Sequence, residues 1–274
     1  MTQKYLMSLV AALAGLALLL PASGDRAMAC GPDTDCIIGE RTYRIRMPEG
    51  HDGARPVGAV LYAHGYKGSA AGAMRNQALG KTLSDMGLAF IAAKSAGDDW
   101  SLPGTPSNLK SDVRVELDYF DALLADVTTR FAVDPERIMM TGFSAGGMMV
   151  WTLACERPDR FLGFAPIAGT FWAPVPDTCR GPVADIIHIH GDADRIVPLA
   201  GRPIGKAHQG DVPTALAMYA RFGAFGDEGP LAAPGDQTCT ERRNPDGKRL
   251  AFCQFPGGHS FRTGDLRFAW DWLK

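Results

Sequence analysis

The chain has 274 residues, 46% hydrophobic and 21% charged, a composition that suits one globular domain with a large core and excludes a disordered chain. The formal net charge is -2 and the pI about 6.3, so no basic field is present to hold nucleic acid or an anionic membrane surface.

At the N-terminus Lys4 precedes an apolar run from Leu6 to Leu20, followed by Pro21 and the small-x-small site Ala27-Met28-Ala29. The run of about 15 residues is shorter than the roughly 20 a membrane span needs. The expectation is therefore a signal peptide over residues 1–29, cleaved after Ala29, and an exported domain over residues 30–274 that is secreted or periplasmic, with no membrane span. Lipidation of a mature N-terminal Cys30 is the less favoured alternative: Met28 departs from the small residues lipoprotein signals carry there, and lipidation would leave an odd thiol.

Arg41-Thr-Tyr-Arg-Ile-Arg-Met47 alternates polar and apolar residues, the pattern of a half-exposed edge strand. Val57 to Ala63 is continuously apolar, as a strand buried on both faces of a parallel sheet is, and it ends in His64-Gly65. Asn76 to Met86 reads as a helix capped by Gly87, and Leu88 to Ala93 as the next buried strand. Lys94 to Leu109 is a Gly/Pro/Ser-rich loop carrying Asp98, Asp99 and Trp100. Ser111 is placed to cap a long helix whose Val113, Leu117, Phe120, Leu124, Val127 and Phe131 form one apolar stripe.

A short apolar run from Arg137 then meets Gly142-Phe-Ser-Ala-Gly146, with helix-forming residues from Met148 to Cys155 close behind. This is the nucleophile-elbow pattern, a strand-turn-helix so sharp that only small residues fit around the serine, Ser144. Phe164 to Ala168, Val183 to His190 and Arg249 to Phe255 read as further strands. Pro213 to Phe222 and the Trp270/Trp272 segment read as helices. Strands alternating with helices imply an α/β fold with a mostly parallel central sheet covered on both faces, in a single domain. The turns after His64, Phe143 and His190 then share one sheet edge, where ligands bind in such folds.

Six cysteines lie beyond the cleavage site, an even count that in an exported chain argues for disulfides. Asn244-Pro-Asp-Gly247 reads as a type I turn with a glycine bulge, which sets Asn244 opposite Lys248 and, five positions out on each strand, Cys239 opposite Cys253. Elimination and nearness leave Cys155 with Cys179 and Cys30 with Cys36. No spacing fits a metal finger, and no cofactor is required.

A serine hydroxyl is a weak nucleophile and needs a base oriented by a carboxylate, both later in the chain in the hydrolase order. His188 and His190 sit on a buried strand and read as structural; His208 reads as surface. His259, in the loop Phe255-Pro-Gly-Gly-His259 between the last strand and the last helix, is the base candidate. In His190-Gly-Asp-Ala-Asp-Arg-Ile-Val-Pro198 the preferred acid is Asp194, with Asp192 as a turn residue capping the loop through its own backbone. The oxyanion hole of this fold takes the N–H after the nucleophile and one from an early loop, here Ala145 and Tyr66, with His64 bracing that loop.

Thr141-Gly-Phe-Ser-Ala-Gly-Gly147, His190 to Pro198, Gly257-Gly-His259 and Ala63-His-Gly65 together resemble the secreted polyhydroxybutyrate depolymerase and feruloyl esterase family of α/β hydrolases. The resemblance spans roughly Arg41 to the C-terminus. It implies Ser144, Asp194 and His259 as the triad, supports a structural Cys155–Cys179 bridge, and implies acyl transfer on an ester: a hydroxyalkanoate oligomer or a plant cell-wall ester. A prolyl-oligopeptidase-type peptidase and a non-catalytic binding protein on the same fold are the rivals. The expected peptidase would carry a large further domain, and the expected binder would lack a triad member. Trp100, Phe171 and Trp172, on loops near the active edge, are candidates to stack on substrate. A monomer is expected.

Overall fold

In a computed structural model, residues 1, 30–106 and 112–274 are described; the expected signal segment beyond Met1 and the expected cap Ser111 lie outside the described residues. The chain folds around a ten-stranded sheet in the order β1-β2-β4-β3-β5-β6-β7-β12-β11-β10. Its middle is parallel: β4 (Ala89–Ala93), β3 (Val57–Ala63), β5 (Val133–Phe143), β6 (Gly163–Ile167), β7 (Ile186–Gly191) and β12 (Arg249–Phe255) all run one way. Antiparallel pairs close both ends, β1 (Cys36–Ile38) with β2 (Arg41–Arg46), and β10 (Gly229–Leu231) with β11 (Thr238–Arg243). A two-stranded hairpin, β8 (Pro203–Ile204) with β9 (Ala207–His208), stands apart.

Strands β3, β4 and β6 are apolar along their length because both faces are covered. One face packs α3 (Arg114–Arg130), α4 (Ala145–Glu156) and α5 (Val212–Phe222), with Phe120, Trp151 and Tyr219 in its core. The other packs α1 (Ala70–Met74), α2 (Gln77–Asp85) and α6 (Thr263–Leu273), with Leu83 and Trp270 in its core. Within α3 the predicted stripe Leu117, Phe120, Leu124 and Val127 is buried, and Val113 and Phe131 pack half-buried at its ends. The helix begins at Arg114, and its N-cap Val113 makes no side-chain cap bond.

The pairing β11–β12 has the register derived from the turn: Asn244 N–H donates to the Lys248 carbonyl at 3.0 Å, and Cys239 faces Cys253. Disulfides join Cys239 to Cys253, Cys155 to Cys179 and Cys30 to Cys36. The strands β1 and β10 and the helix α1 are too short for periodicity to reveal.

Candidate active site

Strand β5 passes directly into α4, and Ser144 stands at the joint with φ 59° and ψ −119°, a conformation that L residues hold at a cost of about 1–3 kcal/mol. Packing enforces it. The Ser144 N–H donates to the Ile167 carbonyl on β6 at 2.9 Å, and its carbonyl accepts from Met148 N–H at 3.1 Å. A Cβ on Gly142 would lie 2.5 Å from the Gly146 carbonyl oxygen, and a Cβ on Gly146 only 1.9 Å from that of Ala63. The two glycines flanking the serine are thus required by backbone-to-backbone approach. The helix begins at Ala145, one turn earlier than Met148, so Ser144 is itself the cap residue. The first helical N–H groups therefore point past the Ser144 side chain with the positive end of the helix dipole behind them.

The loop after β3 lies beside this turn, and an added Cβ on Gly65 would touch Ser144 Cβ at 3.5 Å. Buried His64 braces it. His64 Nδ1–H donates to the Gly65 carbonyl at 2.8 Å, and Nε2 accepts from Ser95 N–H at 3.2 Å. Burial holds the imidazole neutral, its pKa lowered to about 4. Among the described residues no backbone carbonyl accepts from the N–H of Tyr66 or of Ala145. Trp100 belongs to the same brace. Its side chain is fully buried, its indole N–H donates to the His64 carbonyl at 2.8 Å, and its ring packs on Phe120. It packs the loop and is not among the residues that line the cavity. Glu116, a fully buried carboxylate on α3, anchors the loop from below by accepting from Ser101 N–H at 2.9 Å and pairing with Arg41.

At the end of β7 the chain turns through Asp192 and Asp194. The Asp194 side chain is fully buried. Its Oδ1 accepts from the N–H groups of Ile196 at 2.8 Å and Val197 at 2.9 Å, and its Oδ2 accepts from His259 Nδ1 at 2.7 Å. Burial pulls the Asp194 pKa up, but bonds from His190, His259 and the two N–H groups outweigh it and hold the carboxyl well below the ordinary range. Asp192 is exposed and differs from its expected role. Its Oδ1 accepts from Gly257 N–H at 3.0 Å, so it ties the first loop to the one that carries His259. The His259 ring also rests on Phe143, with centroids 4.5 Å apart, next to Ser144 in sequence. His208 is exposed.

A cavity of about 480 Å³ opens at this edge, within the size range of small-ligand pockets. Ser144, Ala145 and Tyr66 form one wall; Met148, Trp172, Ile196, Val197 and Ile204 supply apolar surface; Asp99, Arg202 and Gln209 supply polar groups. Of the aromatic candidates Trp172 lines this cavity. Phe171 packs instead on the Trp151 ring, with centroids 5.5 Å apart. Sequence reading gave the Arg202–Gln209 segment no part in the cavity, yet Arg202, Ile204 and Gln209 at its short hairpin β8–β9 line one side of it. The isolated bridge between Trp172 and Gln209 that fixes it is a tertiary contact with no local signal. Among the described residues no cluster of three or more His, Cys, Asp or Glu could hold a metal ion, and no helix is long and apolar enough to cross a membrane.

Residues 85–173 match a family model described as the prolyl oligopeptidase family. The chain is 32% identical over 258 residues to "Putative esterase NocK" of Nocardia uniformis subsp. tsuyamanensis, covering 83% of this chain and 72% of that protein. It is 27% identical over 270 residues to "Probable feruloyl esterase C" of Aspergillus clavatus, covering 92% of this chain and 90% of that protein. Its fold is similar to that of an acetyl xylan esterase from Aspergillus awamori, with a TM-score of 0.60 at 14% identity over 90% of this chain and 97% of the other.

Proposed function

The chain belongs to the feruloyl esterase family of α/β hydrolases, and from that premise we propose that it hydrolyses esters through Ser144, His259 and Asp194. The observation that carries this reading is the 2.7 Å bond between His259 Nδ1 and the fully buried Asp194 carboxylate, at the edge of a cavity walled by Ser144. A carboxylate so placed keeps the Nδ1–H tautomer and leaves Nε2 as a base.

His259 Nε2 takes the Ser144 proton as Oγ attacks the ester carbonyl. The N–H groups of Ala145 and Tyr66 hold the oxyanion that forms. The tetrahedral intermediate collapses, His259 returns the proton to the departing alcohol, and the acyl group remains on Ser144. Water then enters, gives a proton to His259 and releases the acid, restoring the serine. No electron changes hands, and every proton is carried by one imidazole.

The acyl or alcohol part of the ester faces Met148, Trp172, Ile196, Val197 and Ile204, apolar surface that suits an aromatic or short aliphatic group. The relatives named for feruloyl ester hydrolysis support an aromatic plant cell-wall ester as the first substrate class to test, with acetylated xylan and hydroxyalkanoate oligomers beside it. An exported protein is supported by the three disulfides, which persist in oxidising compartments.

The test is a substrate panel: methyl ferulate, acetylated xylan, hydroxybutyrate oligomers and an aminoacyl-proline amide. Turnover of methyl ferulate above the others is the expected result. Turnover of the amide alone would replace the esterase reading with the peptidase that the matched family model raises.

A further inference from the structure

Behind Asp194 lies a line of three fully buried side chains that the ester chemistry leaves unused: Trp151 on α4, and His188 and His190 on β7. Alternate residues of a strand face the same side, so the two imidazoles stack, with 11° between their planes. Trp151 Nε1 lies 3.0 Å from His188 Nδ1, and His188 Nε2 lies 2.9 Å from His190 Nδ1. His190 Nε2 lies 2.8 Å from the Val197 carbonyl oxygen and 3.4 Å from Asp194 Oδ2.

The protons in this line have one consistent arrangement. An indole N–H can only donate, so His188 Nδ1 must offer its lone pair and carry its proton on Nε2. That proton is donated to His190 Nδ1, which must also be a lone pair, and the one remaining proton of His190 sits on Nε2. There it meets two acceptors, the Val197 carbonyl and Asp194. A second proton on His190 would set Nδ1–H against the Nε2–H of His188. Reversing His188 to relieve this would set its own Nδ1–H against the indole. Burial opposes charge on the line as well, holding the His188 pKa well below the ordinary histidine value.

Two imidazoles thus face one carboxylate oxygen, His259 at 2.7 Å and His190 at 3.4 Å. Were both able to become cations, they would compete for a single negative charge. We propose that Trp151, His188 and His190 form a positioning relay that keeps His190 neutral, its Nε2–H on Val197 and Asp194, so that the Asp194 charge is reserved for His259. The proposal rests on the reading of Asp194 as the orienting carboxylate. The relay also pins the loop carrying Asp194 to the sheet, since Val197 is held from below by His190 while its N–H holds Asp194 from above.

The test has two parts. Imidazole nitrogen NMR of the unaltered protein at pH 7 should show His188 and His190 as neutral Nε2–H tautomers. A cationic ring or an Nδ1–H tautomer at either position overturns the relay, and this measurement stands even where a variant fails to fold. In kinetics, His190→Leu removes the donor, while His190→Gln sets an amide NH₂ near the place of Nε2. By analogy with groups that orient a catalytic ligand, His190→Leu should lower kcat by about 10- to 100-fold with KM nearly unchanged, and His190→Gln should restore most of it. Equal losses in the two folded variants, or a His190→Leu kcat equal to the unaltered enzyme's, overturn the proposal. Asp194→Asn separates the cases: if it too leaves kcat unchanged, the reading of Asp194 has failed, and if it alone is crippled, only the relay has.

Discussion

Replacing Asp194 with Asn exchanges one carboxylate oxygen for NH₂ at constant shape, and the surroundings dictate which one. Oδ1 accepts from two backbone N–H groups, those of Ile196 and Val197 at 2.8 and 2.9 Å. The amide oxygen must stay there, because the opposite orientation would set NH₂ against two donors. The NH₂ therefore takes the place of Oδ2, 2.7 Å from His259 Nδ1 and 3.4 Å from His190 Nε2. His259 can bond to it only by presenting a lone pair at Nδ1, which moves its proton to Nε2. Nε2 then cannot accept the Ser144 proton. In a serine triad of the same logic this tautomer error lowers kcat by about 10⁴, or about 5.5 kcal/mol of barrier. The assay is initial-rate hydrolysis of methyl ferulate, with circular dichroism and a thermal melt to show that the variant is folded. A folded Asp194→Asn protein that keeps more than a tenth of the activity would refute the assignment.

Gly146→Ala places a methyl group 1.9 Å from the Ala63 backbone oxygen, so the elbow must shift; loss of about 1–3 kcal/mol or more in urea unfolding is expected, together with loss of turnover. An Ala variant with unaltered stability and rate would count against the close-approach argument. His64 binds its proton less readily folded than unfolded, about 4 against the model-compound value of 6.5, so the unfolded state takes up more protons between those values. The His64 contribution is therefore full above pH 6.5 and falls by about 3 kcal/mol as pH drops to 4. Urea midpoints at pH 7 and pH 4 measure it, and His64→Gln should flatten the difference; an unchanged pH dependence in that variant would refute the assignment. Replacing Cys239 and Cys253 with Ser opens a loop of sequence separation 14 and should cost about 3 kcal/mol, again read from urea midpoints. Trp172→Ala should raise KM for an aromatic ester more than for an acetyl ester, while Trp100→Phe should lower stability and leave that ratio unchanged.

The parallel sheet was legible where a strand is apolar along its length, as Val57 to Ala63 is; that strand and Arg249 to Phe255 have the bounds read from the sequence. The Cys239–Cys253 pairing was legible for a different reason, since a tight turn fixes register by counting. Ser144 could be singled out from glycine spacing because one of its constraints, the close approach of Gly142 to the Gly146 carbonyl, is local. The parts that escaped are set by distant contacts. Trp100 sits on a Gly/Pro/Ser-rich loop with no periodic pattern, yet its indole is fully buried and donates to the His64 carbonyl. The Arg202–Gln209 cavity wall is held by contacts with Trp172 and Ile196 that carry no local signal. The expected helix start at Met148 falls one turn late because Gly146 and Gly147, weak helix formers alone, are held in α4 by packing against β6, where a Cβ on Gly147 would reach 2.7 Å from the Ile167 oxygen. His188 and His190 read as structural from their strand alone; their bonding partners on α4 and in the Asp194 loop could be seen only in three dimensions.

The central claim is that Ser144 carries the acyl group, and the most direct measurement is turnover of the preferred ester by Ser144→Ala alongside peptide mapping after fluorophosphonate labelling of the unaltered protein. A single adduct on Ser144 and a loss of about 10⁶ in kcat on its replacement are expected. An adduct on another residue, or an Ala variant within tenfold of the unaltered enzyme, would contradict it.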